Sequence, residues 1–306
     1  MNSQEQWSSK KRRGKESYYL QNNPAFNLTS ETQKTNIKLL KNGSKSKSMS
    51  RVKGQLVFLS NTCAFDSLVQ ALAGAYAYNL SYRTSIDKSK TKDRLMEIAI
   101  SLTSGVNMTR IKIMRLKLLN EHFSKNVAMT FPGMIQKVLT IPSYYDTECC
   151  TKLVKKFANI CLNNDVLKDD LSNIQQAIES NFIENPVCDR CKRKPKYKRE
   201  FSNHIFVEVN PRESLSAETD LGRMLQHNLD KIPLSITLGG KLYQLSAAIL
   251  FDPPSVLEKD IIGHYSAAIR FNKTWELFDD LRENTFSMSG DTEVTIHSAL
   301  YTILKK

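Results

Sequence analysis

The sequence predicts an α+β domain in which a helical part comes first and an antiparallel sheet follows. Before about residue 200, apolar residues recur at helical spacing, as in the segment that starts at Cys63. After it, apolar and polar residues alternate along residues 205–209 and 243–251, as they do in half-buried strands. Helices followed by strands favour a segregated α+β architecture over alternating βαβ units.

Composition and charge predict one globular domain behind a basic arm. The 306 residues are 41% hydrophobic and 25% charged, which excludes a wholly disordered chain, a collagen and a coiled-coil rod. The formal net charge is +13, of which residues 1–53 carry +9. Because these residues offer few apolar anchors, we expect a disordered basic arm over residues 1–53 and a single domain over residues 54–306. The basic cluster at residues 10–15 fits a nuclear address or a nucleic-acid contact as well as it fits a solvated tail.

Three features bear on the compartment. No apolar run reaches the roughly 20 residues that a membrane span needs. The first residues are too polar for a signal peptide. The six cysteines are irregularly spaced, unlike the framework of a secreted disulfide-rich domain. We therefore expect the chain in the nucleus and/or the cytoplasm, with reduced thiols.

The first half of the domain is predicted to be mostly helical. Residues 56–59 predict a short strand, and a helix follows from about Cys63, with one apolar stripe at positions 65, 68, 69, 72 and 76. Further helices are predicted at residues 95–102, 111–123, 153–162 and 171–182.

Cys63 is the first candidate for chemistry, because it stands in the first turn of its helix. The helix dipole and the unpaired backbone N–H groups there favour a thiolate, which is the nucleophilic form. A cysteine beside an apolar stripe is more often a small buried hydrophobe. A nucleophilic role therefore requires a base and an orienting group nearby.

His264 and Asp279 are the candidate partners of Cys63. Residues 264–279 predict a β-hairpin whose two-residue loop is Asn272-Lys273. With that loop, the numbers of paired residues sum to 545, so Asp279 lies one diagonal step from His264 on the same face. Asp280 would point to the other face, and a one-residue change in the loop would exchange the two aspartates.

These residues predict a thiol hydrolase with a Cys-His-Asp triad. The base would draw the proton from the thiol, the thiolate would attack a carbonyl, and the carboxylate would orient the imidazole. The alternative is that His264 is a strand histidine bonded to a neighbour.

The two segments resemble the catalytic boxes of the ubiquitin-specific proteases. Residues 61–70, NTCAFDSLVQ, resemble the cysteine box N-T-C-Y-x-N-S-x-x-Q. Residues 263–267, GHYSA, with Trp275 and residues 278–280, FDD, are similar to the histidine box. The resemblance implies a papain-like cysteine protease fold, in which a helical lobe carries Cys63, an antiparallel β lobe carries His264, and the fingers region is reduced.

The resemblance also implies an activity. It implies a deubiquitinase, a thiol protease or isopeptidase that cleaves after the C-terminal glycine of ubiquitin or a ubiquitin-like modifier, with no cofactor for catalysis. Ubiquitin or that modifier, and its conjugates, would be the partners. Asp280 matches a second acidic position that assists in the family. The family's oxyanion-binding Asn, five residues before the nucleophile, is replaced by Phe58. Asn61 is a candidate substitute, although it more readily shapes the turn or caps the helix.

The replacement of the family's oxyanion-binding Asn by Phe58 leaves two alternatives open. One is an isopeptidase specific for SUMO or another modifier. The other is a catalytically weak protease-fold module that binds a modifier or nucleic acid.

The Cys188-x-x-Cys191 motif is half of a structural zinc site, which needs four ligands. In the family that the chain resembles, a four-cysteine zinc site lies between the two boxes, so Cys149 and Cys150 are the candidates for the other ligands. The alternative is a knuckle turn that has lost its metal. The basic residues that follow, between 192 and 199, are interpreted first as a solvated loop, then as a contact for an acidic partner or a nucleic acid.

Overall fold

The computed structural model describes residues 36–44, 50–52, 55–57, 59–89, 93–123, 127–162, 167, 170–182, 187–192, 194–209, 226–253 and 263–304. The helices among them are α1 Cys63–Tyr78, α2 Leu80–Lys88, α3 Arg94–Leu102, α4 Met108–His122, α5 Phe131–Val138 and α6 Ile174–Phe182. Short 3-10 turns lie at Leu171–Asn173 and Leu229–Lys231. No helix in this part of the chain is long and apolar enough to cross a membrane.

Within the described ranges, the strands form one large sheet and three small ones. Their bounds are β1 Ser50–Val52, β2 Gln55–Val57, β3 Tyr144–Glu148, β4 Val154–Phe157, β5 Ile160–Cys161, β6 Tyr197–Phe201, β7 His204–Glu208, β8 His227–Asn228, β9 Ser235–Leu238, β10 Lys241–Asp252, β11 His264–Phe271, β12 Thr274–Phe278, β13 Phe286–Met288, β14 Glu293–Val294 and β15 Ile296–Ile303. The large sheet has the order β13-β12-β11-β10-β15-β7-β5, with β9 paired to β10. The small sheets are β1-β2, β14-β8 and β4-β3-β6.

The large sheet separates two hydrophobic cores. On one face, α1 packs against β10 and β11 and is covered from behind by α3 and α5. On the other face, residues of α6 pack with Trp275, Tyr301 and their neighbours on the sheet. The helix α1 lies close to the sheet at Gly74, where a Cβ atom would stand 2.4 Å from the Ile269 side chain. This packing sets the position of α1, and therefore of Cys63, relative to β11.

The predicted α+β order of helices followed by strands is confirmed, with two refinements. The helix predicted from Cys63 begins there, but it is buried on every side from Cys63 to Ala75 rather than along one stripe. The reason is its place between the sheet and other helices. The face of β11 that carries Ala268 is also covered, because Ala268 lies in the second core.

The helix predicted over residues 153–162 is wrong, because the strands β4 and β5 occupy this stretch. Its apolar spacing imitates a helix, but each strand satisfies its backbone by pairing, β4 with β3 and β5 with β7. Cys161 is exposed at the end of β5.

Residues 36–44, which we call the N-terminal strap, correct the expectation of disorder over residues 1–53. Ile37 and Leu40 are buried in the first core. The Leu40 N–H donates to Gln70 Oε1 at 2.7 Å, and the Lys38 N–H donates to the Leu102 carbonyl at 3.0 Å. The strap is therefore part of the folded domain. Residues 1–35, with the basic cluster at 10–15, lie outside the described residues, and the arm stays a prediction there.

Candidate active site

The turn before α1 presents Cys63 as the first helical residue. Asn61 has a left-handed backbone, with φ of 57°, which bends the chain into the helix. This conformation favours the interpretation of Asn61 as the residue that shapes the turn. Thr62 is the N-cap residue, but its hydroxyl donates to Asp66 Oδ2 at 2.5 Å instead of capping the helix. The first backbone N–H groups of α1, at the positive end of its dipole, therefore lie beside the thiol.

An ion pair inside the helical part anchors this end of α1. Arg115 on α4 donates from Nη1 to Asp66 Oδ1 at 2.8 Å and Oδ2 at 2.9 Å. The two side chains are 4% and 0% exposed. Arg115 also donates to the Lys41 carbonyl of the strap at 2.8 Å, so one guanidinium joins α1, α4 and the strap. Sequence reasoning missed Arg115, because a basic residue on an amphipathic helix carries no local sign of a buried partner.

The predicted register of the histidine hairpin is confirmed. The pairs run from Phe271↔Thr274 to Ala267↔Phe278, and each pair of numbers sums to 545. Asn272 has φ of 57°, the left-handed conformation that a two-residue hairpin loop demands. The loop length therefore places Asp279 beside the start of β11.

The structure brings together the three predicted triad residues. His264 Nε2 lies 2.8 Å from Asp279 Oδ1, and the His264 ring also hydrogen-bonds with the Cys63 thiol. Cys63 is 7% and His264 5% exposed. A thiol, an imidazole and a carboxylate in this order can generate a nucleophile, move its proton and stabilise the resulting cation.

Asp279 is held as a carboxylate by several donors. Its Oδ1 accepts from the Leu281 N–H at 3.0 Å, and its Oδ2 accepts from Arg282 Nε at 3.0 Å. Burial alone would raise the pKa of Asp279, but His264, the Leu281 N–H and Arg282 together lower it to about 2. Sequence reasoning missed Arg282, although its place three residues after Asp279 was a usable signal.

The surrounding carboxyl groups favour the imidazolium form of His264. Burial by itself lowers the pKa of His264, but the charge of the Asp279 carboxylate and the hydrogen bonds with Asp279 and Cys63 raise it well above its ordinary value. Asp252, at the end of β10, pairs directly with His264 across the sheet. Burial raises the pKa of Asp252 as well. Sequence reasoning missed Asp252, because the register between β10 and β11 is not set by a short loop.

The expectation that Asp280 points to the other face is wrong. Its Oδ1 lies 3.7 Å from His264 Nε2, and its side chain is 4% exposed. The strand β12 ends at Phe278, so the alternation of faces no longer applies two residues later. Burial raises the pKa of Asp280 well above its ordinary value.

A second cluster joins the four cysteines predicted as metal ligands, Cys149, Cys150, Cys188 and Cys191. Their Sγ atoms all lie within 4.8 Å of one another. The separations Cys149–Cys191 and Cys150–Cys188 are each 3.5 Å, which is too long for disulfide bonds. Tetrahedral zinc with Zn–S bonds of about 2.3 Å places its sulfurs about 3.8 Å apart, so the four residues fit that ion.

Comparison with known proteins gives one family match and one curated relative. The family model of Dopamine receptor-interacting protein 1 matches residues 92–305. The 120.7 kDa protein in the NOF-FB transposable element of Drosophila melanogaster is 25% identical over 278 residues. That match covers 81% of this chain and 25% of the relative, so the chain spans about a quarter of its length.

Two solved structures have a related but distant shape. A SAGA DUB module with Ubp8, Sgf11, Sus1 and Sgf73, bound to monoubiquitin, matches 94% of this chain and 74% of that chain, with 12% identity and a TM-score of 0.48. The PAN2 pseudoubiquitin-hydrolase of Saccharomyces cerevisiae matches 90% of this chain and 91% of that chain, with 11% identity and a TM-score of 0.43. At these TM-scores, neither likeness assigns a function to this chain.

The match to the family model shows which family the chain belongs to. It begins 29 residues after Cys63 and contains His264 and Asp279. Because it takes in 214 of the 306 residues, the chain belongs to the Dopamine receptor-interacting protein 1 family.

Proposed function

We propose that this chain is a papain-like thiol hydrolase that cleaves the peptide or isopeptide bond after the C-terminal glycine of ubiquitin or a ubiquitin-like modifier. The observation that carries the proposal is the contact of His264 with Cys63 on one side and with Asp279, at 2.8 Å, on the other. The choice of modifier rests on the resemblance of residues 61–70 and 263–280 to the boxes of the ubiquitin-specific proteases.

The reaction follows from these contacts. Cys63 Sγ bonds to the carbonyl carbon of the terminal glycine, and the imidazolium of His264 gives its proton to the leaving amine as the C–N bond breaks. Water then loses a proton to the imidazole and attacks the thioester, which releases the carboxylate and restores the thiol. Asp279 holds the ring in place and stabilises its cation throughout.

A ubiquitin probe with a C-terminal vinyl electrophile tests the proposal. Covalent labelling is expected for the full chain and should vanish in Cys63→Ala. Cys161→Ala, which removes an exposed thiol outside the site, is the matched control and should label normally. Labelling by a SUMO probe alone would move the proposal to that modifier. If neither probe labels and nucleic acid binds with steep salt dependence, the chain is a binding module instead.

We also propose that Cys149, Cys150, Cys188 and Cys191 hold a structural zinc ion, which would stabilise the β4-β3-β6 sheet and take no part in catalysis. Support comes from the sulfur separations and from the knuckle-like turn, in which the Lys192 N–H donates to the Cys188 carbonyl at 2.8 Å.

Metal analysis of purified protein should find about one zinc per chain. The zinc should be lost in Cys188→Ser and kept in Cys161→Ser. A folded wild-type chain free of zinc after purification without chelators would refute this assignment. The nuclear or cytoplasmic location and a contact of the basic segments with nucleic acid or an acidic partner stay predictions.

A further inference from the structure

The proposed reaction needs a hydrogen-bond donor that the catalytic boxes do not supply. Attack of a thiolate turns a carbonyl oxygen into an oxyanion, which is stabilised by donors already aimed at its position. The start of α1 offers backbone N–H groups beside Cys63. Position 58, where the family that the chain resembles has an Asn, carries Phe. Phe has no hydrogen-bond donor, so a side-chain donor for the oxyanion would come from another part of the chain.

The N-terminal strap brings the buried side-chain amide of Asn42 close to the turn before Cys63. Asn42 is 4% exposed, and the residues that follow it bind the turn that leads into the nucleophile. The Gly43 N–H donates to Thr62 Oγ1 at 2.8 Å, and Ser44 Oγ accepts from the Asn61 N–H at 3.1 Å. Asn42 is thus anchored directly beside the residues that precede the nucleophile, although it lies 21 positions earlier in the chain.

Asp280 fixes the orientation of this amide. Asn42 Nδ2 donates to Asp280 Oδ2 at 2.8 Å, and the backbone N–H of Asn42 donates to the Asp280 carbonyl at 3.0 Å. At the other end of the side chain, Oδ1 accepts from the Ser44 N–H at 2.9 Å. These bonds identify which end of the amide is the nitrogen. Within the described part of the chain, they use one of the two N–H groups on Nδ2, and no other group accepts from the second.

Asp280 is suited to hold the amide without opposing an oxyanion. Its Oδ1 is buried and has no hydrogen-bond partner within the described part of the chain, 3.7 Å from His264 Nε2. Burial raises its pKa well above the ordinary value, which favours the neutral acid over a second negative charge in the site.

We propose that Asn42 is a catalytic residue that donates a hydrogen bond from Nδ2 to the oxyanion formed when Cys63 attacks, and that Asp280 is the positioning residue that orients it. This inference rests on the proposed function. It assigns to the strap the oxyanion donor that Phe58 does not provide.

The test separates acyl chemistry from thiol reactivity. Asn42→Asp keeps the shape of the side chain and the acceptor for Ser44 and removes the amide donors, but it also sets a second carboxyl group against Asp280. Asn42→Ala, which removes the donors without adding an acid, is therefore measured beside it. We expect kcat for ubiquitin–aminomethylcoumarin to fall roughly 10²–10³-fold, with KM little changed. The rate of Cys63 alkylation by iodoacetamide, which forms no oxyanion, should stay at the wild-type value. Lys38→Ala is the control and should leave both rates unchanged, because among the described residues the Lys38 Nζ donates to the Val106 carbonyl and not to the site.

Each other outcome overturns the assignment. Unchanged hydrolysis in Asn42→Asp would exclude Asn42 as a donor. A parallel loss of hydrolysis and alkylation would make Asn42 a support of the triad instead. Should Asn42→Asp not fold, Asn42→Ala decides alone, and failure of both to fold makes Asn42 a structural residue. A wild-type chain that hydrolyses no modifier overturns the proposed function itself, and this result needs no variant.

Discussion

The ion pair between Arg115 and Asp66 gives the sharpest test of how the site is held. Replacing Arg115 by Met keeps much of the apolar stem and removes the charge, so the Asp66 carboxylate stays buried without its cation. Because these side chains are 4% and 0% exposed, solvent cannot screen the loss. Breaking a buried pair at one partner costs about 3–5 kcal/mol, which for a domain of this size lowers Tm by roughly 6–20 °C.

The double variant Asp66→Asn with Arg115→Met shows whether the stability is lost because the carboxylate is left unpaired. It leaves no buried charge, and Asn can still accept from the Thr62 hydroxyl. We expect it to recover most of the stability lost in Arg115→Met, because the penalty belongs to the unpaired carboxylate and not to the missing attraction. The assay is urea unfolding of wild type, both single variants and the double variant, evaluated as a double-mutant cycle.

Two results would refute this reasoning. The first is a loss below about 1 kcal/mol in Arg115→Met, which is the range of an exposed pair. The second is a double variant no more stable than Arg115→Met, which would mean that the guanidinium acts mainly through its bond to the strap carbonyl.

Two further perturbations test the bond between Arg282 and Asp279 and the contact of α1 with β11. The pKa of Asp279 is lowered from its ordinary value of 3.8 to about 2 in the folded chain. The ionised carboxylate therefore stabilises the fold; this contribution is fully present above pH 3.8 and is lost as the pH falls through 2. Arg282→Met raises that pKa and should move the midpoint of acid unfolding to higher pH. Lys273→Met removes an exposed charge on the hairpin turn and should leave the midpoint unchanged. Equal shifts in the two variants would contradict a local effect of Arg282 on Asp279. Gly74→Ala places a methyl group 2.4 Å from an isoleucine on β11 and should cost about 1–3 kcal/mol in thermal unfolding, despite the higher helix propensity of Ala. Gly105→Ala, where a Cβ atom has no neighbour within 4 Å, is its control and should leave Tm nearly unchanged, and equal losses would exclude the contact with β11 as the cause.

Local features were predictable from the sequence where local rules decide them. The start of α1 at Cys63 follows from its apolar periodicity, and the pairing of β11 with β12 follows from a loop of two residues. The proximity of the four cysteines was also expected, although their spacing alone could not show that two adjacent residues would each approach a different partner. In these cases the deciding information lies within a few residues.

The missed features depend on contacts between distant parts of the chain. Asn42 lies in a polar stretch with no periodicity, and its segment folds through contacts with distant residues such as Gln70, Thr62 and Asp280. Residues 153–162 have apolar residues at helical spacing, but they form strands because their backbone groups hydrogen-bond with strands elsewhere in the chain. Tertiary context overrides a weak local preference in this way whenever a segment is short.

The order of strands in the large sheet has a consequence for biosynthesis. The strand β15, after all the others in chain order, lies in the interior of the sheet between β10 and β7. A nascent chain that has not yet emerged through residue 303 exposes two unpaired edges in its centre, which are open to aggregation. A ribosome-bound fragment that lacks β15 would carry Cys63 and His264 on an unfinished scaffold.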